Sequence, residues 1–425
     1  MALVLQRDHC DDIGHIVSKN MPSLAPFRKI YIDLHEHPEL GTNESRTSSI
    51  ASMHLEELGF AVHRNVGGHG VVGVLENGDG KTILLRADMD ALPIKEETGL
   101  PYASKARGKD LDGEDTPVMH ACGHDMHITC LMAVASLLHN AKADWTGTLI
   151  CLFQPDEEHG AGAQAMVDDG LYDIIPTPDL ILGQHVDYRR SGNIAICPGT
   201  FMAAADSFDI TIIGRGSHSS QPQLSIDPIV IAAYVLVRIQ SIVSRFVAPL
   251  DTAVVSCGSI HGGSAENIIP DQVKLKLNVR TYKDSVRTRV LHSLKNIIQT
   301  ECEASDATQE PIIQPTTRFP LTENDPEIAG AIGVAFRDFF GAKHTEVMEK
   351  LPGSEDFSNL ARQKNIPYAF WFWGGTDPKK WDAAKENDRL ELIPRPHSSK
   401  FAPVIETTMI TGVQGLALAA LRFLH

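Results

Sequence analysis

Positive charge is scarce in this chain. Against 54 Asp and Glu stand 38 Lys and Arg, a formal net charge of −16. Nucleic acid is therefore not an expected partner, because binding phosphates requires a basic surface. An anionic substrate would be repelled at long range and would need a local cationic clamp. Cysteine is sparse as well. Seven thinly scattered cysteines, an odd number, argue against a disulfide framework and for a reducing, cytoplasmic compartment. The stretch Met1 to Met21 carries Asp8, Asp11 and Asp12 and has no long apolar core, so it reads as neither a secretory leader nor a membrane span. There is no internal repeat and no low-complexity segment. No Gly-x-Gly-x-x-Gly stands between a strand and a helix with an acidic partner, which removes dinucleotide binding.

What is present suits a soluble enzyme of two or three domains: 425 residues, 43% hydrophobic and 22% charged. Pro22 to Phe60 has a helical pattern interrupted by Pro38 and Gly41, with a second helix from about Glu44 to Leu58. Apolar strands are expected at Gly70–Leu75, Thr82–Ala87, Thr148–Gln154 and Leu180–Gln184. Between them Ile128, Leu131, Met132, Ala135 and Leu138 recur at helical spacing, in a helix starting near Asp125. This alternation predicts a mostly parallel sheet with helices on both faces. The pattern changes after Gly199. Strands near Phe208–Ile212, Ala253–Ile260, Val273–Val279 and Ile312, with helices at Pro228–Phe246 and Ser285–Cys302, give the order β-α-β-β-α-β of the ferredoxin-like split motif. The expected organisation is a catalytic α/β domain in two parts, 1–199 and 316–425, with an inserted ferredoxin-like α+β lid at 200–315. The second part carries the helix Pro326–Phe340, the strand Tyr368–Trp373 with a turn at Gly374-Gly375, and a helix at about Thr407–Phe423.

Metal-binding residue types follow the apolar runs. Cys122 and His124 stand in His120-Ala121-Cys122-Gly123-His124-Asp125, Glu157 and Glu158 come after Thr148–Gln154, His185 after Leu180–Gln184, and His397 beyond Tyr368–Trp373. Ligands of open α/β sheets bind outside the carboxyl ends of the strands. A thiolate, imidazoles and a carboxylate suit Zn²⁺ or another borderline first-row divalent metal. Five candidate ligands (Cys122, His124, Glu158, His185 and His397) exceed the needs of one centre and match two metals about 3.5–4 Å apart, with Cys122 able to bridge. An isolated Cys122 would read as an inert buried thiol, and an isolated His185 as an ordinary strand-end residue. Of the adjacent Glu157 and Glu158, one can ligate while its neighbour handles the proton of a nearby water. Asp90 reads as a carboxylate that orients a ligand histidine, with a turn or capping role as the alternative.

At these residues the chain resembles the N-acyl amino acid amidohydrolases of the aminoacylase and carboxypeptidase-G metallopeptidase group, the branch that includes hippurate hydrolases and plant auxin-conjugate hydrolases. The matching segments are His35-Glu36-His37-Pro38-Glu39-Leu40-Gly41, Arg86–Ile94, His120–His127, Phe153–Glu158, Gly214–Pro222, Asn267–Asp271, Arg280-Thr281 and Gly353–Ser358. They run in family order over nearly the whole chain. The resemblance implies a two-metal catalytic domain with an inserted lid. It implies that Cys122, His124, Glu158, His185 and His397 are the ligands of two divalent ions and that Glu157 is the general base and acid. It further implies that His218 of the lid stabilises the oxyanion, and that Asn267 and Arg280 bind the substrate carboxylate, which supplies the clamp that the net charge demands. Zn, Mn, Co and Ni all remain open, because metal choice follows availability as well as ligand type.

Three departures stand out. Asp156 takes a place where the family often has Ala, the segment after His397 lacks the usual acidic residues, and Cys130 and Met132 replace common apolar residues in the helix. The expected reaction is hydrolysis of the amide bond of a small N-acyl amino acid or amino-acid conjugate, with no nucleic-acid or membrane partner. A dipeptidase or carboxypeptidase on the same two-metal site is the alternative. So is a metal-independent hydrolase with Cys122 as nucleophile, which leaves Glu158, His185 and His397 without a role. A catalytically silent binding protein is disfavoured by the intact Glu157. Exposed strand edges on the lid could pair two copies, so a homo-oligomer stays open.

Overall fold

The computed structural model describes residues 12–425. The reading of Met1–Met21 therefore falls in part on residues 1–11, which lie outside the described residues. The chain forms two compact units. One comprises the described residues up to Gly199, with Glu323–Glu349 and Asp356–His425; the other comprises Thr200–Thr322 and Lys350–Glu355.

The first unit is built on an eight-stranded sheet. Its spatial order is Ala61–Val66, Gly70–Asn77, Gly147–Gln154, Thr82–Asp88, Leu180–Arg190, Tyr368–Thr376, Ile194–Ile196 and Thr345–Val347. The central strands pair in parallel, Gly147–Gln154 with Thr82–Asp88, Thr82–Asp88 with Leu180–Arg190, and Leu180–Arg190 with Tyr368–Thr376. Antiparallel pairs lie towards both sides, so the sheet is mixed around a parallel centre. The central strands are almost continuously buried because helices cover them. Ile83, Leu85, Leu149, Cys151, Leu182 and Trp371 share one core with Leu131, Val134 and Leu138 of the helix His124–Asn140 and with Val413, Leu416 and Leu421 of the helix Ile405–Leu424.

Two details depart from the sequence reading. His185 lies inside the strand Leu180–Arg190, because parallel pairing with Tyr368–Thr376 continues through Phe372↔His185 and Trp373↔Val186. The expected turn at Gly374-Gly375 belongs to that partner strand, which runs on to Thr376 with an irregular register after Gly374. An edge strand, Ala61–Val66, carries too many polar residues to announce itself in sequence.

The second unit has the strand order Ala253–Gly262, Gln272–Thr281, Ala204–Ile213, Ile312–Phe319, all antiparallel. With the helices Pro228–Ser241 and Asp284–Glu303 this is the ferredoxin-like arrangement. The last strand crosses the boundary expected at residue 315. Alternation decides which face is buried. Ile210, Ile212, Val273, Leu275, Leu277 and Val279 meet Ile231, Val235, Ile239, Val290, Leu294 and Ile298. Asp227 caps the first helix by accepting from the Ile229 and Val230 amides. Two described helical stretches, Pro228–Phe246 and Ile405–Leu424, are long and apolar enough to cross a membrane by length and composition. The second is a core helix, 72% of its apolar window being buried.

Candidate metal centre

The site lies in the first unit, where the parallel strands end. Gly123 makes the entry to the helix His124–Asn140. Its φ of +80° is left-handed, and a Cβ there would stand 2.5 Å from Val186 Cγ1, so only glycine brings Cys122 and His124 this close to the His185 strand. Asp125 sits in the helix's first turn, accepting from the Met126 amide and holding His35 Nδ1 at 2.6 Å. The His397 amide donates to the Ala121 carbonyl at 2.9 Å, which ties a distant loop to the residue before Cys122.

All five metal-ligand candidates come together. The donor atoms of Cys122, His124 and His185 lie within 4.8 Å of one another, and so do those of Cys122, Glu158 and His397. The sulfur belongs to both triads. His185 Nε2 is 3.3 Å from Cys122 Sγ, and His397 Nε2 is 3.3 Å from Glu158 Oε2. Glu157 is buried, and its carboxylate groups with His124 and Glu158. Asp90 Oδ1 stands 3.3 Å from His124 Nδ1, while Asp90 Oδ2 accepts from the Glu158 amide at 2.9 Å. His124 Nε2 and Glu158 Oε1 are buried polar atoms without a hydrogen-bond partner. Such atoms are costly unless something satisfies them. A soft sulfur, imidazole nitrogens and carboxylate oxygens suit divalent first-row cations, so these residues fit the two ions that the sequence implies.

The electrostatics agree with that fit. Burial pushes the Cys122 thiol well above its ordinary range, and the carboxylates of Glu158 and Glu157 push it further. Burial, reinforced by Asp90, lifts Glu158 to about 8 against the opposing pull of His124. Burial lowers His124, but Asp88, Asp90 and Glu158 outweigh it and raise it to about 10. Burial drives His185 and His397 down, helped by His127 and His124 at His185 and by His124 at His397, so both imidazoles stay neutral and keep a lone pair. Nearby positive charge relieves both the raised thiol and the raised carboxyl. The same surroundings disfavour a free Cys122 thiolate acting as nucleophile, because burial and the carboxylates of Glu158, Glu157 and Asp88 oppose its ionisation.

The turn bearing the two glutamates is pinned from several sides. Asp156 has a left-handed φ of +53°, which Asp adopts more readily than Ala. Its carboxylate pairs with His159 Nδ1 at 2.5 Å, and its amide donates to Glu44 Oε1 at 2.8 Å. A Cβ on Gly41 would stand 2.2 Å from Asp156 Oδ1. The third acidic residue of this cluster is thus a turn-former neutralised by a histidine. Cys130 and Met132 are fully buried in the core.

His218, Asn267 and Arg280 lie in the second unit. His218 is exposed on the two-residue strand Ser217–His218, paired with Ile268–Ile269. The Ser220 amide donates to His218 Nδ1 at 3.1 Å, so in the neutral ring the proton sits on Nε2. Arg280 is half-buried and donates through Nη1 to the Pro352 carbonyl at 2.6 Å and Ser354 Oγ at 3.2 Å.

Sequence reasoning gave no role to Glu44, His35 or His127. Glu44 is buried, and burial with Asp90 lifts its carboxyl to about 8. None of the three belongs to a recognisable spacing, although His35 and His127 stand inside the matched segments.

The fold and the site define a metal-dependent amidohydrolase with a two-metal centre. The chain belongs to peptidase family M20/M25/M40, whose sequence profile matches residues 84–394. It is similar to hippurate hydrolase of Campylobacter jejuni, 39% identical over 347 residues, 81% of this chain and 87% of that one. It is also similar to N-acetyl-L-cysteine deacetylase of Bacillus subtilis, 36% identical over 352 residues, 82% of this chain and 80% of that one. Among solved structures, a dinuclear metal binding peptidase of the M20 family from Bacillus subtilis superimposes with a TM-score of 0.70 at 28% identity, over 94% of this chain and 98% of that one.

Proposed function

We propose that this protein hydrolyses small N-acyl amino acids or amino-acid conjugates, releasing the amino acid and a carboxylic acid, and that Cys122, His124, Glu158, His185 and His397 hold its two divalent ions. The observation that carries this reading is the pair of donor triads sharing the Cys122 sulfur beside the buried Glu157. Names of relatives support the substrate class: one cleaves hippurate, another N-acetyl-L-cysteine. When bound, the cations supply Lewis-acid polarisation of the scissile carbonyl and a lowered pKa for water. Glu157 accepts the proton of the attacking water and delivers it to the departing nitrogen. Asp90 orients His124 and holds the Glu158 amide. His218 donates from Nε2 to the developing oxyanion, a contribution worth ~3 kcal/mol for such a donor. Arg280 and Asn267 take the free carboxylate of the substrate. A cytoplasmic location belongs to the same reading and accords with the six free cysteines among the described residues.

The test is a panel of N-acyl amino acids and dipeptides offered to the protein reloaded with Zn²⁺, Mn²⁺, Co²⁺ or Ni²⁺ after thorough chelation. The expected result is amine release from acyl amino acids, abolished by chelation and restored by metal. Turnover that survives chelation, or a metal-loaded protein inert on every acyl amino acid, contradicts the reading.

A further inference from the structure

His127 lies among the metal-site residues, and its nitrogens group with Asp88 and His124 as possible donors to a cation. Its hydrogen bonds give it a different use. The Val186 amide can only donate, so His127 Nε2, 2.9 Å away, accepts and carries no proton. The ring proton sits on Nδ1 and is donated to Asp88 Oδ1 at 2.5 Å. With Nδ1 protonated and the Nε2 lone pair occupied, no lone pair is left for a metal. Asp88 is fixed in turn. Arg86 Nη1 donates to Asp88 Oδ2 at 2.6 Å, and Arg86 Nε donates to Gln154 Oε1 at 2.8 Å, all of these side chains being buried.

The recipient of this order is the peptide next to His185. Pairing of the His185 strand with Thr82–Asp88 stops at Arg86↔Gly183, and three residues later the Val186 amide is taken up by His127. His185 Nδ1 lies 2.6 Å from the Val186 carbonyl. A carbonyl only accepts, so Nδ1 carries the His185 proton, and Nε2 keeps its lone pair on the side of Cys122 Sγ, 3.3 Å away. The His127 ring also packs edge-on against the His185 ring, centroids 4.5 Å apart. We propose that Asp88 and His127 form a positioning pair that presents His185 Nε2 to the metal centre by clamping the Val186 backbone. This rests on the assignment of His185 as a ligand.

The experiment compares wild type, His127→Gln, His127→Met and His185→Ala as chelated apoproteins titrated with Zn²⁺ and Co²⁺ against a chromophoric chelator. Glutamine can offer Oε1 to the Val186 amide; methionine of similar length offers no comparable acceptor. His185→Ala is expected to lose tight binding of one of two equivalents. His127→Met is expected to weaken the same equivalent by about 10–100-fold, and His127→Gln to recover to within several-fold of wild type. If His185→Ala weakens binding while His127→Met binds like wild type, the positioning role is overturned and the ligand assignment stands. If His185→Ala itself binds two equivalents like wild type, both fall. A folded His127→Gln as weak as His127→Met overturns the hydrogen-bond clamp. Should His127→Met not fold, ¹⁵N-histidine spectra of the wild-type apoprotein decide: His127 and His185 both protonated on Nδ1 support the clamp, and an Nε2 proton on His127 overturns it.

Discussion

Glu157 and Glu158 are chain neighbours with different surroundings. Glu158 contacts His397 and faces His124, while its amide is held by Asp90. Glu157 is buried alongside, the place for a proton carrier. Glu157→Gln keeps the volume but not the base. It is expected to retain both metal equivalents and to lose at least ~10²-fold in kcat, the usual range for a general base, as read by metal analysis beside steady-state kinetics. Near-normal turnover in that variant removes Glu157 from the mechanism. Gly123 makes a second residue-scale claim. Gly123→Ala adds a Cβ 2.5 Å from Val186 Cγ1 at a left-handed φ, which should cost about 1–3 kcal/mol in unfolding free energy. Because the strain falls between Cys122 and the His185 strand, metal affinity should drop with it. A variant unchanged in both denaturant midpoint and metal titration would show that the turn tolerates a side chain.

Single buried contacts join whole elements. His35 ends the helix Ala25–Glu36 and lies between Asp125 of the helix His124–Asn140, at 2.6 Å, and Glu96, at 3.1 Å. Burial pushes His35 down, but its hydrogen bonds to Asp125 and Glu96 outweigh this and hold it at about 10. A free histidine titrates near 6.5, so the folded value is raised. The resulting stability is fully present below pH ~6.5 and is lost as pH rises through about 10. With chelator present, the stability difference between wild type and His35→Gln should be largest near pH 6, on the order of 3–5 kcal/mol for a broken buried pair, and should shrink towards pH 10. A difference independent of pH would mean that His35 is neutral in the fold. In the second unit, Arg287 grips Asp206 with two 2.8 Å hydrogen bonds, joining the helix Asp284–Glu303 to the strand Ala204–Ile213. Arg287→Met should destabilise by ~3–5 kcal/mol, and adding Asp206→Leu should restore much of that. Calorimetry on both variants checks it; a double variant no better than the single shows that the pair contributes more than mutual neutralisation.

For the whole molecule, the elements with strong apolar periodicity were legible in the sequence. Thr82–Asp88 and Gly147–Gln154 carry the apolar runs Ile83–Leu85 and Leu149–Phe153, and Gln272–Thr281 alternates cleanly. The five candidate ligands were legible as metal-binding residue types clustered near the ends of apolar runs. What sequence could not supply depends on backbone geometry. His185 lies within its strand because of a parallel register that no local pattern encodes. Lys350–Glu355 joins the second unit through main-chain bonds, Leu351 N–H to the Phe201 carbonyl and Ala203 N–H to the Gly353 carbonyl, which need no particular side chain. The hydrogen bonds of His127 and Glu44 depend on which amide each one meets, and that appears only when the chain is folded.

The Cys122 sulfur belongs to both donor triads and is the proposed bridge between two cations. Native mass spectrometry of apoprotein reloaded with Zn²⁺, comparing wild type with Cys122→Ala, measures this directly. Wild type should take up two ions and Cys122→Ala should hold neither tightly, each being bound at least tenfold more weakly. Two tightly held ions in Cys122→Ala, or fewer than two in wild type, would contradict it.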